Sequence, residues 1–491
     1  MTDLRRTNEP VEELQSEVSA RILTEADCER ILQRAHAMAR GGGDTSVTIT
    51  SWWQGEIRWG RNRVTSSTDR QNHVVMVSRM MPNGVRGTAQ TNQLDDESLE
   101  GAVRAAERIS GFGSVVGRGV GYYPPLPSYE RPTSAIWSDA TYGLTDEARG
   151  EVARALIAPA EDKGMLSAGY LEVRAAARAV LSTAFPELRN GKHAFWEQPY
   201  IRWTQAQCST TVRNPAGTAS GWAGGSSYDW GRLDAPAFAE RALQKCLAAQ
   251  NPVSLEPGRY TVILEPQAVC DLLELLTRTF MREHPENGNP GPWRLVYDDA
   301  LGLWRSKLGL KVADERVTIS HDFTDPDLGI VASTVEEPRS VTWIERGILK
   351  SLGHLLKTDI QSLDGWHSRR YAVGYRMSGG DTSLEEMIQT TRRGLLVTRL
   401  SNLRGLDVES LLATGLTRDG LWLIEDGKIT KAVNNFRFTE SPLFVLNNIE
   451  QLGEPVRVFR PTRGEGEQLT PAVVPPIKVR DFSFTSLVGA V

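Results

Sequence analysis

The chain is predicted to fold as an α+β protein: an N-terminal α/β domain with a strand meander and helices, then a C-terminal, mostly β domain. Three observations carry this. Through the first 110 residues, stretches with apolar residues every three or four positions interleave with stretches that alternate. Residues 260–284, YTVILEPQAVCDLLELLTRTFMREH, form a strand, a Glu-Pro break and a helix. Beyond that helix, short apolar runs follow one another between turn signals, the mark of successive strands.

The first twenty residues are polar and acidic and read as a flexible N-terminus. Residues 24–38, TEADCERILQRAHAM, read as a helix capped by Thr24, with Asp27 near a capping-box position and Ile31, Leu32, Ala35 and Met38 on its inner stripe. His36 on this helix reads as a boundary histidine. Strands are expected at 46–53, 56–64 and 73–80, and Asn83-Gly84 turns the chain into a returning strand at 85–91. Residues 95–109 read as a helix whose acidic start suits the helix dipole.

Residues 111–121 hold five glycines, but no Gly-Lys-Ser/Thr ending and no strand-to-helix setting. With Pro124, Pro125, Pro127 and Pro132 they read as a linker. A helix at 145–163 and strands at 167–182 and 193–212 follow, the second strand carrying Phe195, Ile201 and Trp203. AGTASGWAGGSS at 216–227 reads as a small-residue loop, and 234–249 as a helix. This order predicts an N-terminal α+β domain at 21–110, a linker at 111–135, a central α+β region at 136–250 and a β-rich C-terminal domain at 255–491.

In the 260–284 unit, Pro266 suits a first helical turn because its missing N–H costs no hydrogen bond there. Ala268, Val269, Leu272, Leu273, Leu275, Leu276, Phe280 and Met281 recur at helical spacing and mark a core-facing stripe. Further on, a strand is expected at 317–321, hairpins at 340–356 and at 420–433 about Asp426-Gly427, a strand at 394–400, short helices at 383–388 and 441–448, and a closing strand at 473–484. The aspartates of HDFTDPDLG (321–329) lack calcium-loop spacing and read as a solvated turn.

Composition narrows the function. Lys and Arg number 56 against 61 Asp and Glu, a net charge of −5, which argues against nucleic-acid binding. Cys28, Cys208, Cys246 and Cys270 stand far apart and read as reduced, buried thiols. The N-terminus has no apolar leader and no run reaches membrane-spanning length, so a cytoplasmic, membrane-free protein is expected.

Several segments, in order, resemble the TldD/PmbA family, the modulators of DNA gyrase grouped as metallopeptidases with inactive homologues. They are GVRGTAQTNQLDDESLEGAVRAAERI (84–109), PGRYTVILEPQAVCDLLELL (257–276), DPDLG (325–329), WIERGILKSLGHLL (343–356), RGLLVTRLSNLRGLD (393–407), GLWLIEDGKITKAVNNF (420–436) and VPPIKVRDFSFT (474–485). The resemblance implies a C-terminal domain enclosing a cleft for extended peptides. Active members carry H-E-x-x-x-H on the helix matching 268–279, and a later cysteine as zinc ligand. Two imidazoles a helical turn apart grip Zn²⁺ while the glutamate deprotonates the bound water.

Here that helix reads AVCDLLELLTRT, with Cys270, Asp271 and Glu274 as its coordinating side chains, no histidine, and no cysteine later in the chain. The family's acidic D-x-E-G turn is also changed, to TVEEPR at 334–339. These departures are similar to the PmbA/TldE branch, which implies no zinc in this chain, zinc in a TldD-like partner, and a heterodimer acting on unfolded or short peptides. Two alternatives stand beside it. One is an autonomous metallopeptidase whose fold would have to assemble a site from His284, His321 and Asp322, with His354 and His367 further downstream; the other is a non-hydrolytic peptide-binding homodimer.

Overall fold

The computed structural model describes residues 21–81, 85–111, 136–183, 195–280, 291–322, 324–328, 340–352, 374–460 and 471–488. The first twenty residues, Asn83-Gly84, residues 112–135, the altered turn at 334–339, and His284, His354 and His367 lie outside them.

Helix α1 (Glu25–Ala37) begins as expected: the Thr24 side chain and Asp27 exchange hydrogen bonds with each other's backbone N–H groups. Strands β1 (Asp44–Gly60) and β2 (Arg63–Met80) then pair along their whole lengths. The three strands expected here are two. The polar run 65–72 is strand because β1 pairs with it residue by residue, and the turn falls at Arg61-Asn62, where φ is 50° and 62°. The Asn62 amide fixes that turn, donating to the Met165 carbonyl at 2.8 Å and accepting the Ser167 N–H at 2.6 Å.

β3 (Arg86–Thr91) and α2 (Asp96–Gly111) follow, then α3 (Asp139–Tyr142), α4 (Asp146–Asp162), β4 (Leu166–Thr183), β5 (Phe195–Arg213), β6 (Ser220–Ser227) and α5 (Ala235–Ala248). The six strands make one sheet, ordered β3-β2-β1-β4-β5-β6, so strands from either side of residues 112–135 share it. Alternate residues of β1 and β4, among them Val47, Ile49, Trp53, Ile57, Leu171, Val173 and Ala177, are buried on the face that α1, α2, α4 and α5 cover. The opposite face mixes a polar network, in which Glu172 accepts from the side-chain amides of Gln54 (2.9 Å) and Gln207 (2.6 Å) and pairs with Arg174, with a small apolar cluster of Ile136, Ala176 and Trp203.

Residues 220–227 are strand β6, where a small-residue loop was expected. The glycines serve packing: a Cβ on Gly221 would lie 2.2 Å from the Ala242 carbonyl oxygen and 2.5 Å from the Cys246 nitrogen, so only glycine lets α5 lie this close. Gly221→Ala is therefore expected to destabilise by about 1–3 kcal/mol through overpacking. Gly101→Ala, in α2 with open space around it, is expected to stabilise by about 0.5–1 kcal/mol. Urea unfolding of both variants checks the opposite signs.

The C-terminal part holds two more sheets. β7 (Gly258–Leu264), β14 (Arg393–Asp407), β15 (Leu412–Glu425), β17 (Phe436–Glu440) and β21 (Ile477–Leu487) pair in the order β14-β7-β21-β17-β15, and β15 pairs back with β14, closing a ring. β16 (Lys428–Ala432) and β18 (Ile449–Leu452) add to β15 and β21, and Asp426-Gly427 makes the expected turn with φ of 48° and 76°. The second sheet orders β12 (Ile348–Leu349), β11 (Val341–Glu345), β10 (Ile319–His321), β13 (Tyr375–Met377), β20 (Ala472–Val474) and β19 (Val456–Val458). Helices α7 (Leu384–Gln389) and α8 (Pro442–Asn447) are capped by Ser383 and Ser441.

The single closing strand expected at 473–484 is two, β20 and β21, in different sheets. Pro475-Pro476 stands between them, because consecutive prolines offer no N–H to a ladder. Between the sheets lies α6 (Pro266–Phe280), packed against β7, β14, β19, β20 and α8. Of its expected apolar stripe, Ala268, Val269, Leu272, Leu273, Leu276 and Phe280 are buried and Leu275 is half-buried, while Met281 lies outside the described residues.

Candidate functional site

The end of β7 and the start of α6 aim a set of polar side chains at the junction between the N-terminal sheet and the C-terminal sheets. Glu265, of the Glu-Pro pair, meets Lys245 of α5 at 2.6 Å. One turn into α6, Gln267 donates from its amide both to Asp271 (2.9 Å) and to the Phe459 carbonyl (3.0 Å). The Phe459 ring packs edge-on against Tyr170 and Trp222, which belong to β4 and β6.

Asp271 is held by two donors, Gln267 and the Leu400 N–H, each at 2.9 Å. Burial pushes its carboxyl up to about 6, although Arg399 and both hydrogen bonds pull the other way. Arg399 itself lies over the Trp222 ring at 4.5 Å and pairs with Asp419, a buried carboxylate that also accepts the Ser220 hydroxyl at 2.9 Å.

Cys270 points away from this junction into the core. It is 2 % exposed and accepts the Tyr375 O–H at 3.6 Å, and burial pushes its thiol up to about 12. Arg460, over the Tyr375 ring at 5.4 Å, opposes that shift without overcoming it. Glu274, one turn after Cys270, is paired with Arg278.

This donor set does not fit zinc. A metal-binding cysteine must be a thiolate, and here the sulfur is buried and already accepts the Tyr375 O–H. The two carboxylates are already engaged by protein donors, and the helix carries no imidazole.

The other candidates do not converge either. His321 is 1 % exposed on β10, its Nδ1 2.7 Å from the Gly374 carbonyl and its ring tilted over Trp343. A carbonyl oxygen can only accept, so in this hydrogen bond Nδ1 is the donor and carries the proton. Asp322, the next residue, accepts from Ser340 (2.7 Å) and Thr324. Among the described residues, no three His, Cys, Asp or Glu side chains gather as a metal group.

The aspartates of the 321–329 turn bind a cation of the protein itself: Asp325 and Asp327 clamp Arg376 at 2.6 and 2.7 Å. Arg457 ties the same turn to the N-terminal sheet, donating to the carbonyls of Ser226 (2.6 Å), Leu328 (3.1 Å) and Asp327. Sequence reasoning missed Gln267, Arg399, Phe459, Tyr375 and Arg457. For Gln267 a signal existed, because a Gln four residues before an Asp on a helix is a known bonding pair. The others meet α6 from distant parts of the chain, and spacing carries no trace of that.

Residues 257–486 match the model of the PmbA/TldA metallopeptidase C-terminal domain. The strand ring, the second sheet and α6 between them therefore form a domain similar to that one, in a chain that is α+β throughout. The whole fold is similar to that of TldE from Thermococcus kodakarensis, with a TM-score of 0.70 at 19% identity over 93% of this chain and 99% of that one. A protein assigned as a modulator of a DNA gyrase from Thermotoga maritima gives 0.67 at 14% identity over 93% and 100%. Its counterpart from Bacteroides thetaiotaomicron gives 0.67 at 16% identity over 94% and 98%. No curated relative matches the chain in sequence. Over residues 257–486 the chain is thus similar to PmbA/TldA metallopeptidases, within a fold that it shares with these three structures.

Proposed function

We propose that this chain is a PmbA/TldE-like, non-catalytic subunit of a TldD-type zinc metallopeptidase complex that processes unfolded or short peptides in the cytoplasm. The observation that carries the reading is the state of α6. On the helix where active relatives hold zinc, Cys270 is a buried thiol hydrogen-bonded by Tyr375, Asp271 is taken up by Gln267 and Leu400, and Glu274 is paired with Arg278. In this reading the partner supplies zinc and the attacking water, and this chain shapes the cleft and offers a sheet edge to an extended peptide. No helix among the described residues is long and apolar enough to cross a membrane, which suits a role away from the bilayer.

The expected result is near-zero zinc per chain by elemental analysis of the protein purified alone, with no hydrolysis of a denatured casein probe. Co-expression with a homologue bearing H-E-x-x-x-H is expected to yield a stable pair that cleaves that probe. Zinc near one per chain with activity alone would sink the proposal, as would failure of the two chains to associate.

A further inference from the structure

On the face of the N-terminal sheet that its helices leave uncovered, three register partners make a notch: Trp52 of β1, Ala176 of β4 and Trp203 of β5. Alanine ends at its Cβ, so the two indoles flank a gap above it. Trp203 is held by packing with Ile136 and Ala176, and Tyr228 packs on the same cluster. Arg174 and Gln205, from the next row along the strands, line the notch beside them.

That next row runs Gln54, Arg174, Gln205, again in register. Gln54 is 2 % exposed and Gln205 5 %, yet among the described residues neither side-chain carbonyl oxygen has a hydrogen-bond partner. The Gln54 amide donates to Glu172 at 2.9 Å, which leaves its carbonyl as the idle end. Arg174, between the two glutamines, pairs with the same Glu172 at 2.7 Å. A buried carbonyl without a donor costs about 1–3 kcal/mol. A leucine of similar size would fill either position without that cost, so the fold alone gives no reason for two such glutamines in one row.

Charge, chemistry and spacing set what the carbonyls await. Glu172 and Arg174 neutralise each other, so the missing group is a neutral N–H rather than a counter-ion. A glutamine carboxamide carries a donor beside its acceptor, the complement of a peptide unit's C=O and N–H. Gln54 and Gln205 stand two strands apart, about 9.5 Å, and strand side chains rise roughly perpendicular to the sheet. A chain in the polyproline-II form repeats every three residues, about 9.3 Å, so its N–H groups three residues apart reach both carbonyls. In a β-strand the N–H groups on one side are about 6.7 Å apart and reach one only. Aromatic-lined grooves are also the surfaces on which polyproline-II segments dock.

We infer that this face binds an unfolded peptide in the polyproline-II form, laid across β1, β4 and β5. Its main-chain N–H groups meet Gln54 and Gln205, and one of its side chains enters between Trp52 and Trp203. Contact through the main chain accepts peptides with little regard to sequence. This places the peptide of the proposed function and rests on that reading for the class of ligand.

Fluorescence anisotropy of a labelled, unstructured alanine-serine peptide, with the full chain purified alone, tests it. Saturable binding is expected. The same peptide N-methylated along its main chain is expected to bind at least tenfold more weakly, the effect of about one lost hydrogen bond. Gln205→Leu is expected to weaken binding as much, while unfolding at the same or a higher temperature because an unpaired buried carbonyl is gone. Trp304→Ala is the control: Trp304 is 58 % exposed, on the hairpin of β8 (Val296–Asp298) and β9 (Leu303–Arg305). It is expected to leave binding unchanged, which separates the notch from general adhesion to exposed rings. No binding, full binding by the N-methylated peptide or by Gln205→Leu, or a loss in Trp304→Ala overturns the inference. Neither zinc nor a partner enters this assay, so such a failure leaves cleavage of casein by the pair untouched. Conversely, a pair that fails to form while the peptide still binds overturns the subunit reading alone.

Discussion

Phe280→Ala is expected to destabilise the protein by about 3–5 kcal/mol, the cost of deleting a fully buried aromatic side chain. Phe280 is the last residue of α6 and is 0 % exposed. Its ring lies between two indoles, with Trp293 at 5.4 Å and 17° between planes, and Trp343 on the other side at 5.3 Å and 11°. Trp293 comes from the segment between α6 and β10 and Trp343 from β11, so the one ring joins α6, that segment and the second sheet. Around it the polar atoms are satisfied: the Trp293 indole N–H donates to the Thr279 hydroxyl at 2.7 Å, which donates to the Leu276 carbonyl at 2.6 Å.

Truncation leaves a cavity walled by two rigid indoles that cannot close on each other, because each is tied to a separate element. The stacking of each pair, about 0.5–1.5 kcal/mol beyond burial, is lost as well. Phe280→Leu refills part of the space and is expected to recover about half of the loss. Urea unfolding followed by near-ultraviolet dichroism measures both, and a loss below about 1 kcal/mol for the alanine variant would mean that the site collapses.

The limits of sequence reading follow the distance over which each feature is decided. The Thr24 capping box and the Asp426-Gly427 turn were legible because the atoms involved lie within three residues of each other. The stripe of α6 was legible for the same reason, since burial at helical spacing is written in one window. What covers that stripe was not: nothing near Phe280 names Trp343, and nothing near Asp271 names the Leu400 N–H. Residues 216–227 looked like a loop because glycine reads as flexibility until α5 is known to lie across Gly221. The β1–β2 hairpin was misplaced because a polar strand carries no periodic apolar signal; its evidence is the partner strand.

The candidate site divides in the same way. Its lack of histidine was plain from the letters, whereas the reason its remaining ligating groups are spent lies in Tyr375, Leu400, Arg399 and the junction they build.

The second large effect is on the pH dependence of stability, where His321 and Asp271 are expected to act in opposite directions. Burial pushes His321 down from 6.5 to about 4, against the pull of the Gly374 hydrogen bond and Asp322. Below pH 6.5 the unfolded chain takes a proton at this position while the folded chain does not until about pH 4. Stability rises with pH wherever the unfolded state binds more protons, so His321 withdraws stability as pH falls through this window, by about 3 kcal/mol in all. Asp271 runs the other way. Its folded value, about 6, lies above the ordinary 3.8, so the folded chain holds the proton longer. Its contribution is full below pH 3.8 and is lost as pH rises through about 6, by on the order of 2 kcal/mol once the half-buried side chain's contact with solvent is discounted.

In the wild type the two slopes offset each other between about pH 4 and pH 6, and either variant alone uncovers the other. Relative to the wild type, His321→Gln is expected to lose stability as pH rises across that interval, and Asp271→Asn to gain it. The overall cost of each substitution shifts its curve vertically without changing the sign of its slope. Unfolding free energies by urea at about pH 4 and about pH 6.5 decide the matter. Parallel curves for wild type and His321→Gln would mean that water reaches the imidazole and that its burial does not govern its charge.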